Sequence, residues 1–361
     1  MIKANPMVAA MAPYALPDLS VPDGLEAIVL AQNEHAFPPS KKVQQAVIAA
    51  IATGQLYPDD NWTKLRAAIS AVHGLNVNNI VCGAGSMELM SSLMLAYLSP
   101  GDRMLMTEYG YLFMRTLAKL SGTSVDVAAE TDYRVDVDRV LQSLQPQTRL
   151  VFVVNPGNPS GTVIHNDEIR RLRAALPEDV LLLVDEAYAE FVDAGFHEPI
   201  FDLAESGYTI ITRTFSKIYG LAGARVGWGY FPSEVREQLR KVINPSSVSS
   251  LSQAAASAAM ADQPHALAAS RAIAQQRDFL SAAINDLGLK VLPSQTNFIL
   301  VDFVTPQQAG SAFEFLRQHR LVVRPMLGYG LPACLRITIG TAEQMQLTAA
   351  TLAGWRQQPH D

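Results

Sequence analysis

From residue 78 onward the chain keeps returning to one pattern: a short apolar run, a turn, then a segment of helical period. Ile80-Val-Cys82, Arg103 to Met106, Ser124 to Val127, Leu150 to Val154, Val180 to Val184 and Tyr208 to Thr212 have strand length. Between them, Met87 to Leu98, Met114 to Leu120, Arg139 to Leu144 and Asn166 to Leu176 repeat apolar residues at helical spacing. Strands apolar on both faces need cover on both sides, so the pattern predicts an α/β chain with a mostly parallel sheet between helices.

The flanks read differently. Residues 1 to 40 are rich in proline and turn residues, with one short apolar strand at Ala27 to Leu30, and are expected to pack as an arm on the small C-terminal unit. Helices are predicted over Lys41 to Ala52 and Trp62 to Val72. After Asn244-Pro-Ser-Ser-Val-Ser-Ser250 the composition shifts, and Leu251 to Leu287 reads as one long linking helix. Strands near Phe298 to Asp302, Leu321 to Val323 and Cys334 to Ile339, with helices at Pro306 to Gln318 and Ala342 to Arg356, make a smaller α/β unit. At 361 residues and 49% apolar content the chain exceeds one layered domain. The division expected is 1–40, 41–245 and 246–361.

Thirty-four acidic against 28 basic residues give a net charge of −6 without a basic run, which argues against nucleic acid and for a small polar substrate. Cys82 and Cys334 belong to no CxxC or Cys/His cluster, so neither a disulfide framework nor a metal site is expected. Lys3 is followed by an apolar stretch broken by Pro6, Pro13 and Pro17, unlike a signal peptide, and no window is apolar for the length of a membrane span. A cytoplasmic protein is expected.

The chemistry concentrates in four short stretches. Thr214-Phe-Ser-Lys-Ile-Tyr-Gly-Leu-Ala-Gly-Ala-Arg225 lies between two strand-like runs, so Lys217 sits on a connection. A buried lysine amine can lose its proton and attack a carbonyl. Thr214, Ser216 and Arg225 supply hydroxyls and a guanidinium fork for a phosphate dianion. A nucleophilic lysine beside a phosphate cradle suggests pyridoxal phosphate, although most lysines are solvated surface charges. Gly83-Ala-Gly-Ser86 joins a strand to a helix start, an anion site or an ordinary junction. Asn155-Pro-Gly-Asn-Pro-Ser-Gly161 follows a buried strand, as a ligand loop or as a plain turn. Asp185 ends an apolar strand in Val180-Leu-Leu-Leu-Val-Asp-Glu-Ala-Tyr188. It would need a cation to stay ionised, which a protonated pyridine would provide; otherwise it caps the next helix.

These motifs, with Tyr57-Pro-Asp59, come in the order of the fold-type-I pyridoxal-phosphate aminotransferases. Val322-Val-Arg-Pro-Met-Leu-Gly-Tyr-Gly-Leu-Pro332 and Leu335-Arg-Ile-Thr-Ile-Gly340 are similar to the histidinol-phosphate aminotransferase family, and the resemblance covers nearly the whole chain. It implies a large sheet domain, a smaller α/β domain and pyridoxal 5'-phosphate as cofactor. Lys217 would carry the cofactor aldehyde as a Schiff base and act as general base, with Asp185 on the ring nitrogen. Asn158 and Tyr188 would hold the ring's phenolic oxygen, and Tyr109 would stack on the ring. The phosphate would be held by the Ala84 and Gly85 amides, Ser86, Thr214, Ser216 and Arg225. Tyr57 would reach the other subunit's phosphate in a homodimer. Tyr14, Asn33, Arg324 and Arg336 would contact substrate, with Arg336 gripping a carboxylate.

The implied reaction is transfer of an amino group from histidinol phosphate to 2-oxoglutarate. Asn33-Glu-His-Ala-Phe-Pro-Pro-Ser40 departs from the family's usual Asn-Glu-Asn-Pro-x-Gly-Pro-Ser, which leaves open a paralogue for an aromatic or specialised amino acid. His35 and Phe37 either pack or take part in recognition. Decarboxylation, racemisation or cyclisation would use the same Lys217 and Asp185.

Overall fold

The computed structural model describes residues 2–4, 6–9, 11, 18–22, 24–193 and 198–358. Tyr14 lies outside them. The apolar runs become the strands of a seven-stranded sheet: β2 (Ile80–Gly83), β3 (Arg103–Thr107), β4 (Ser124–Ala128), β5 (Thr148–Val154), β6 (Leu181–Asp185), β7 (Thr209–Thr214) and β8 (Gly227–Tyr230), with β1 (Ile28–Val29) preceding them outside this sheet. Their order is β2-β8-β7-β6-β5-β3-β4, and β8 alone runs antiparallel to its neighbours. Residues of β5 and β6 are almost all buried because helices cover both faces. The carboxyl ends of β5, β6 and β7 lie side by side, with Val154 opposite Asp185 and Asp185 opposite Thr212.

A second, four-stranded antiparallel sheet has the order β12-β13-β10-β9, formed by β9 (Lys290–Val291), β10 (Phe298–Asp302), β12 (Arg324–Met326) and β13 (Leu331–Thr338). The sequence pattern shows neither β9 nor β12, which are two and three residues long. Pro325 fits β12 because that strand is an edge, where a missing N–H costs no ladder bond. From the N-terminal segment, β1 pairs in parallel with β11 (Leu321–Val322), and Thr338 donates its amide to Leu30 O at 2.9 Å. One cluster of buried apolar side chains runs through both sheets.

The single helix expected over Leu251 to Leu287 is instead two, Ser250–Ala261 and Gln263–Asp286, broken at Asp262. Pro264 has no N–H and its ring would clash with the carbonyl four residues earlier, so one helix cannot run through it. Cys82 and Cys334 are buried free thiols. Among the described residues no helix is long and apolar enough to cross a membrane.

β8 approaches the start of helix Ser86–Tyr97 so closely that only glycine fits at position 227. A Cβ there would lie 2.5 Å from the Gly85 carbonyl carbon and closer still to the Ser86 amide nitrogen. Neither neighbour is a flexible side-chain end. Gly227→Val should therefore cost about 1–3 kcal/mol in urea unfolding; an unchanged midpoint would mean that the two backbones are not in contact.

Candidate active site

A cleft of about 280 Å³ opens at the carboxyl ends of the central strands, where α/β sheets bind ligands. Its walls include Ser86, Met87, Tyr111, Asn158, Asp185, Tyr188, Thr214, Ser216, Lys217 and Arg225. Residues from four distant sequence motifs thus face one volume. Gln32 and Glu34 close it from the N-terminal segment.

Asp185 is 5% exposed, at the end of β6. Its side-chain partner is a neutral hydroxyl, the Thr212 Oγ1 that donates at 3.1 Å. Burial pushes the carboxyl up to about 7, and the neighbouring Glu186 adds to the rise, while the Thr212 bond and Lys217 oppose it. Lys217 follows β7. Its Nζ donates to Asn33 O at 3.1 Å and Gln32 O at 3.4 Å. Burial first, and the Arg336 charge second, bring the amine down to about 8. Burial therefore shifts the carboxyl up and the amine down, from opposite directions.

Two hydroxyls and a guanidinium gather where helix Ser86–Tyr97 begins. Arg225 Nη1 donates to Ser216 Oγ at 3.1 Å, and the Ser216 amide donates to Thr214 Oγ1 at 3.1 Å. Arg225 is in the left-handed region at φ 52°, which costs on the order of 1 kcal/mol. Its guanidinium lies against Gly85, where a Cβ would collide with Nη2.

At two expected positions the geometry points to a neighbouring residue. The Ala84 amide already donates to Glu88 Oε2 at 2.6 Å, and the Gly85 amide to Gly83 O at 2.7 Å. The amides at the helix start that remain for an anion are those of Ser86 and Met87, both on the cleft wall. Tyr109, the second, does not line the cleft. Its ring stacks on Tyr133 with centroids 5.5 Å apart, beside the buried cluster of Leu292, Leu300 and Met326. Tyr111, two residues on, faces the cleft instead.

Of the two asparagines after β5, Asn158 lies in the cleft and accepts from Arg336 Nη1 at 2.6 Å. Asn155 turns away, clamping Ile164 through both its amide atoms at 3.0 Å. Asn33 is buried, with Nδ2 donating to the Tyr188 hydroxyl at 2.9 Å and Oδ1 accepting from Thr338 Oγ1 at 3.2 Å. It stands behind the cleft wall. Burial pushes Tyr188 up to about 12, so its phenol stays protonated. Arg336 also donates to Ala31 O at 2.9 Å, and on the neighbouring strand Arg324 is its direct cross-strand partner. Tyr57 does not line this cleft and is 90% exposed. His35 and Phe37 pack on each other edge to face, with His35 Nδ1 2.8 Å from Phe37 O.

Sequence reasoning passed over Tyr111, Met87, Glu34 and Gln32. All four adjoin a motif, but only the turn geometry decides which neighbour faces inward.

A Lys–Asp pair at strand ends, with hydroxyls, a helix start and an arginine to one side, defines a class of protein. Residues 26–352 match the model of the aminotransferase class I and II family, and the chain belongs to it. Among its relatives, the histidinol-phosphate aminotransferase of Granulibacter bethesdensis is 40% identical over 358 residues, covering 99% of this chain and 96% of that protein. That of Paramagnetospirillum magneticum is 41% identical over 352 residues, covering 96% and 97%. The crystal structure of histidinol-phosphate aminotransferase from Sinorhizobium meliloti in complex with pyridoxal-5'-phosphate superposes with a TM-score of 0.89 at 27% identity, covering 99% of this chain and 98% of that one. The fold is the fold-type-I architecture of these enzymes.

The raised carboxyl has a consequence for stability. Because Asp185 binds its proton more tightly folded than at its ordinary value of 3.8, its cost is absent at low pH. The cost grows as pH rises from that range through about 7. In protein freed of bound small molecules, Asp185→Asn should be more stable than the parent at pH 8, on the order of 2–4 kcal/mol, with the gain fading towards pH 4. Urea unfolding at both pH values checks this; a pH-independent difference contradicts the raised carboxyl.

Proposed function

We propose that the protein is a pyridoxal 5'-phosphate-dependent aminotransferase that moves the amino group of histidinol phosphate to 2-oxoglutarate. The observation that carries the cofactor reading is the buried Asp185 carboxylate, which has no cation bonded to it among the described residues and shares a cleft with a lysine whose amine is held near 8. A pyridinium nitrogen is the partner that such a carboxylate needs. When bound, the cofactor supplies an electron sink for the bond broken at the substrate's Cα.

The residues then divide the work. Ser86 and Met87 amides, with Thr214, Ser216 and Arg225, would hold the phosphate; these replace the Ala84 and Gly85 amides. Tyr111, in place of Tyr109, would lie against the ring face. Asn158 and Tyr188 would position the ring's phenolic oxygen, Tyr188 as a protonated donor. Lys217 Nζ, brought down to about 8, is in part unprotonated at neutral pH, so it would be the residue that holds the cofactor's aldehyde end and the base that takes the Cα proton. Arg336 and Arg324 stand opposite each other on β13 and β12, two cations suited to the substrate's anionic end. Asn33 orients Tyr188 rather than touching substrate directly.

The full-length relatives support the donor: two of about 40% identity are histidinol-phosphate aminotransferases. A homodimer agrees with the exposed Tyr57, which would reach the partner's phosphate, alongside exposed Ile48, Ile51 and Leu56. An N-terminal arm of residues 1–40, a cofactor unit of 41–245 and a C-terminal unit of 246–361 complete the reading, and we place the enzyme in the cytoplasm.

Holoenzyme mixed with histidinol phosphate should convert its bound cofactor to the amine form, and 2-oxoglutarate should reverse this. Faster conversion by aromatic amino acids would transfer the assignment to a paralogue, and carbon dioxide release would make it a decarboxylase. Lys217→Ala should lose on the order of 10³-fold or more in kcat.

Tyr111→Ala should weaken cofactor binding about tenfold by equilibrium dialysis, whereas Tyr109→Ala should leave it within about twofold. The reverse ranking would restore Tyr109 to the ring.

A further inference from the structure

Behind Asp185, on the other face of the sheet, lies a charged pair with no part in the cleft. Glu186 is 1% exposed and Arg213 5%. Arg213 Nε and Nη2 both donate to Glu186 Oε2, at 3.0 and 2.7 Å, and Nη1 reaches Glu190 Oε1 at 3.5 Å. Its guanidinium lies over the Phe201 ring, 4.9 Å from the centroid, and 5.9 Å from that of Trp228. Asp185 and Thr212 are register partners on β6 and β7, so the residues after them, Glu186 and Arg213, point to the opposite face.

We propose that Arg213 is a positioning residue for the cofactor-binding carboxylate: by neutralising Glu186 and tying β7 to the end of β6, it keeps Asp185 free to ionise. This rests on the reading of Asp185 as the partner of the ring nitrogen. Two buried carboxylates on adjacent residues cannot both ionise cheaply, and each needs its own cation. Arg213 serves Glu186, so the ring nitrogen is left to Asp185. Other titratable groups face the two sides of the strand. On the Arg213 side, His73 packs on Trp228 and is kept neutral by burial and by Arg213, and Tyr219 is likewise held protonated by burial. Glu190 is the other anion there. On the cleft side, Asp185 faces Lys217 and the protonated Tyr188.

The test is the pH at which holoenzyme releases pyridoxal phosphate on acidification, read from the visible band of the bound cofactor and from dialysis. Glu186→Gln removes the like charge and leaves Arg213 with Glu190, so its midpoint should fall by about one pH unit. In Arg213→Met, Glu186 loses the guanidinium that shields its charge from Asp185, and the midpoint should rise by about as much. The double variant should return close to the parent, and Arg213→Lys should keep the parent midpoint. Shifts of opposite sign are beyond a merely structural role, which would lower the melting temperature of all four variants and move no midpoint. That result overturns the proposal. Should Arg213→Met fail to fold, Glu186→Gln decides alone. Asp185→Asn separates the two readings: if it alters release while the Arg213 and Glu186 variants do not, only this inference falls. A parent-like profile in Asp185→Asn overturns both.

Discussion

A carboxylate buried at the end of a central strand, with no cation bonded to it among the described residues, is the constraint around which this protein is arranged. Asp185 reaches that place because β6 is apolar along its length and has to run through the core, which carries the residue after Val184 into a low-dielectric site. Thr212 on the neighbouring strand offers one hydroxyl and no charge. Lys217 lies three residues beyond Thr214, the last residue of β7, and meets the same burial with the opposite sign. Burial thus raises the carboxyl and lowers the amine, moving the two groups towards each other. What satisfies both is a single ligand with a cationic ring atom and an electrophilic carbon.

The remainder of the site follows from sheet geometry. Because β8 is antiparallel between β2 and β7, it brings Gly227 against the start of the helix after β2 and swings Arg225 over Gly85. Hydroxyls, a guanidinium and free helix amides thus converge although they come from stretches of the chain as far apart as Ser86 and Arg225. The anion site at a helix start is ordinary chemistry. What is particular is that the two glycines, 85 and 227, make room for it, and each would collide with a neighbour if it carried a Cβ.

The strands of the large sheet were legible because each is a dense apolar run, and the parallel reading followed from burial on both faces. So was the meeting of Lys217, Asp185, Asn158 and Arg225 in one cleft, since each sits in a motif whose chemistry is unusual enough to mark it. What the sequence left open is decided over one or two residues. Tyr109 and Tyr111 share a short turn, and a strand or helix period cannot tell which ring faces the cleft. Ala84 and Gly85 follow a strand as expected, but their amides close on Glu88 and Gly83 before any ligand arrives. The split at Asp262 was visible in principle, since Pro264 forbids a continuous helix, and was outweighed by the alanine-rich composition around it. The short strands β9 and β12 carry too few residues for any period to show.

Asn33 shows how the two sheets are brought to act on one lysine. Held in the left-handed region at φ 54°, it accepts from Lys217 Nζ and from Asn297 Nδ2 through its backbone carbonyl, both at 3.1 Å. Its amide donates to Thr338 Oγ1 at 3.0 Å and its side chain to the Tyr188 hydroxyl. One residue of the N-terminal segment therefore joins the end of β13, the residue before β10, and the tyrosine and lysine of the large sheet. A rotation of the smaller sheet relative to the larger would strain these bonds. It would pull on the carbonyl that now holds the lysine amine. The left-handed conformation, uncommon outside glycine but tolerated by asparagine, is what lets the carbonyl, the amide and the side chain point to three partners at once.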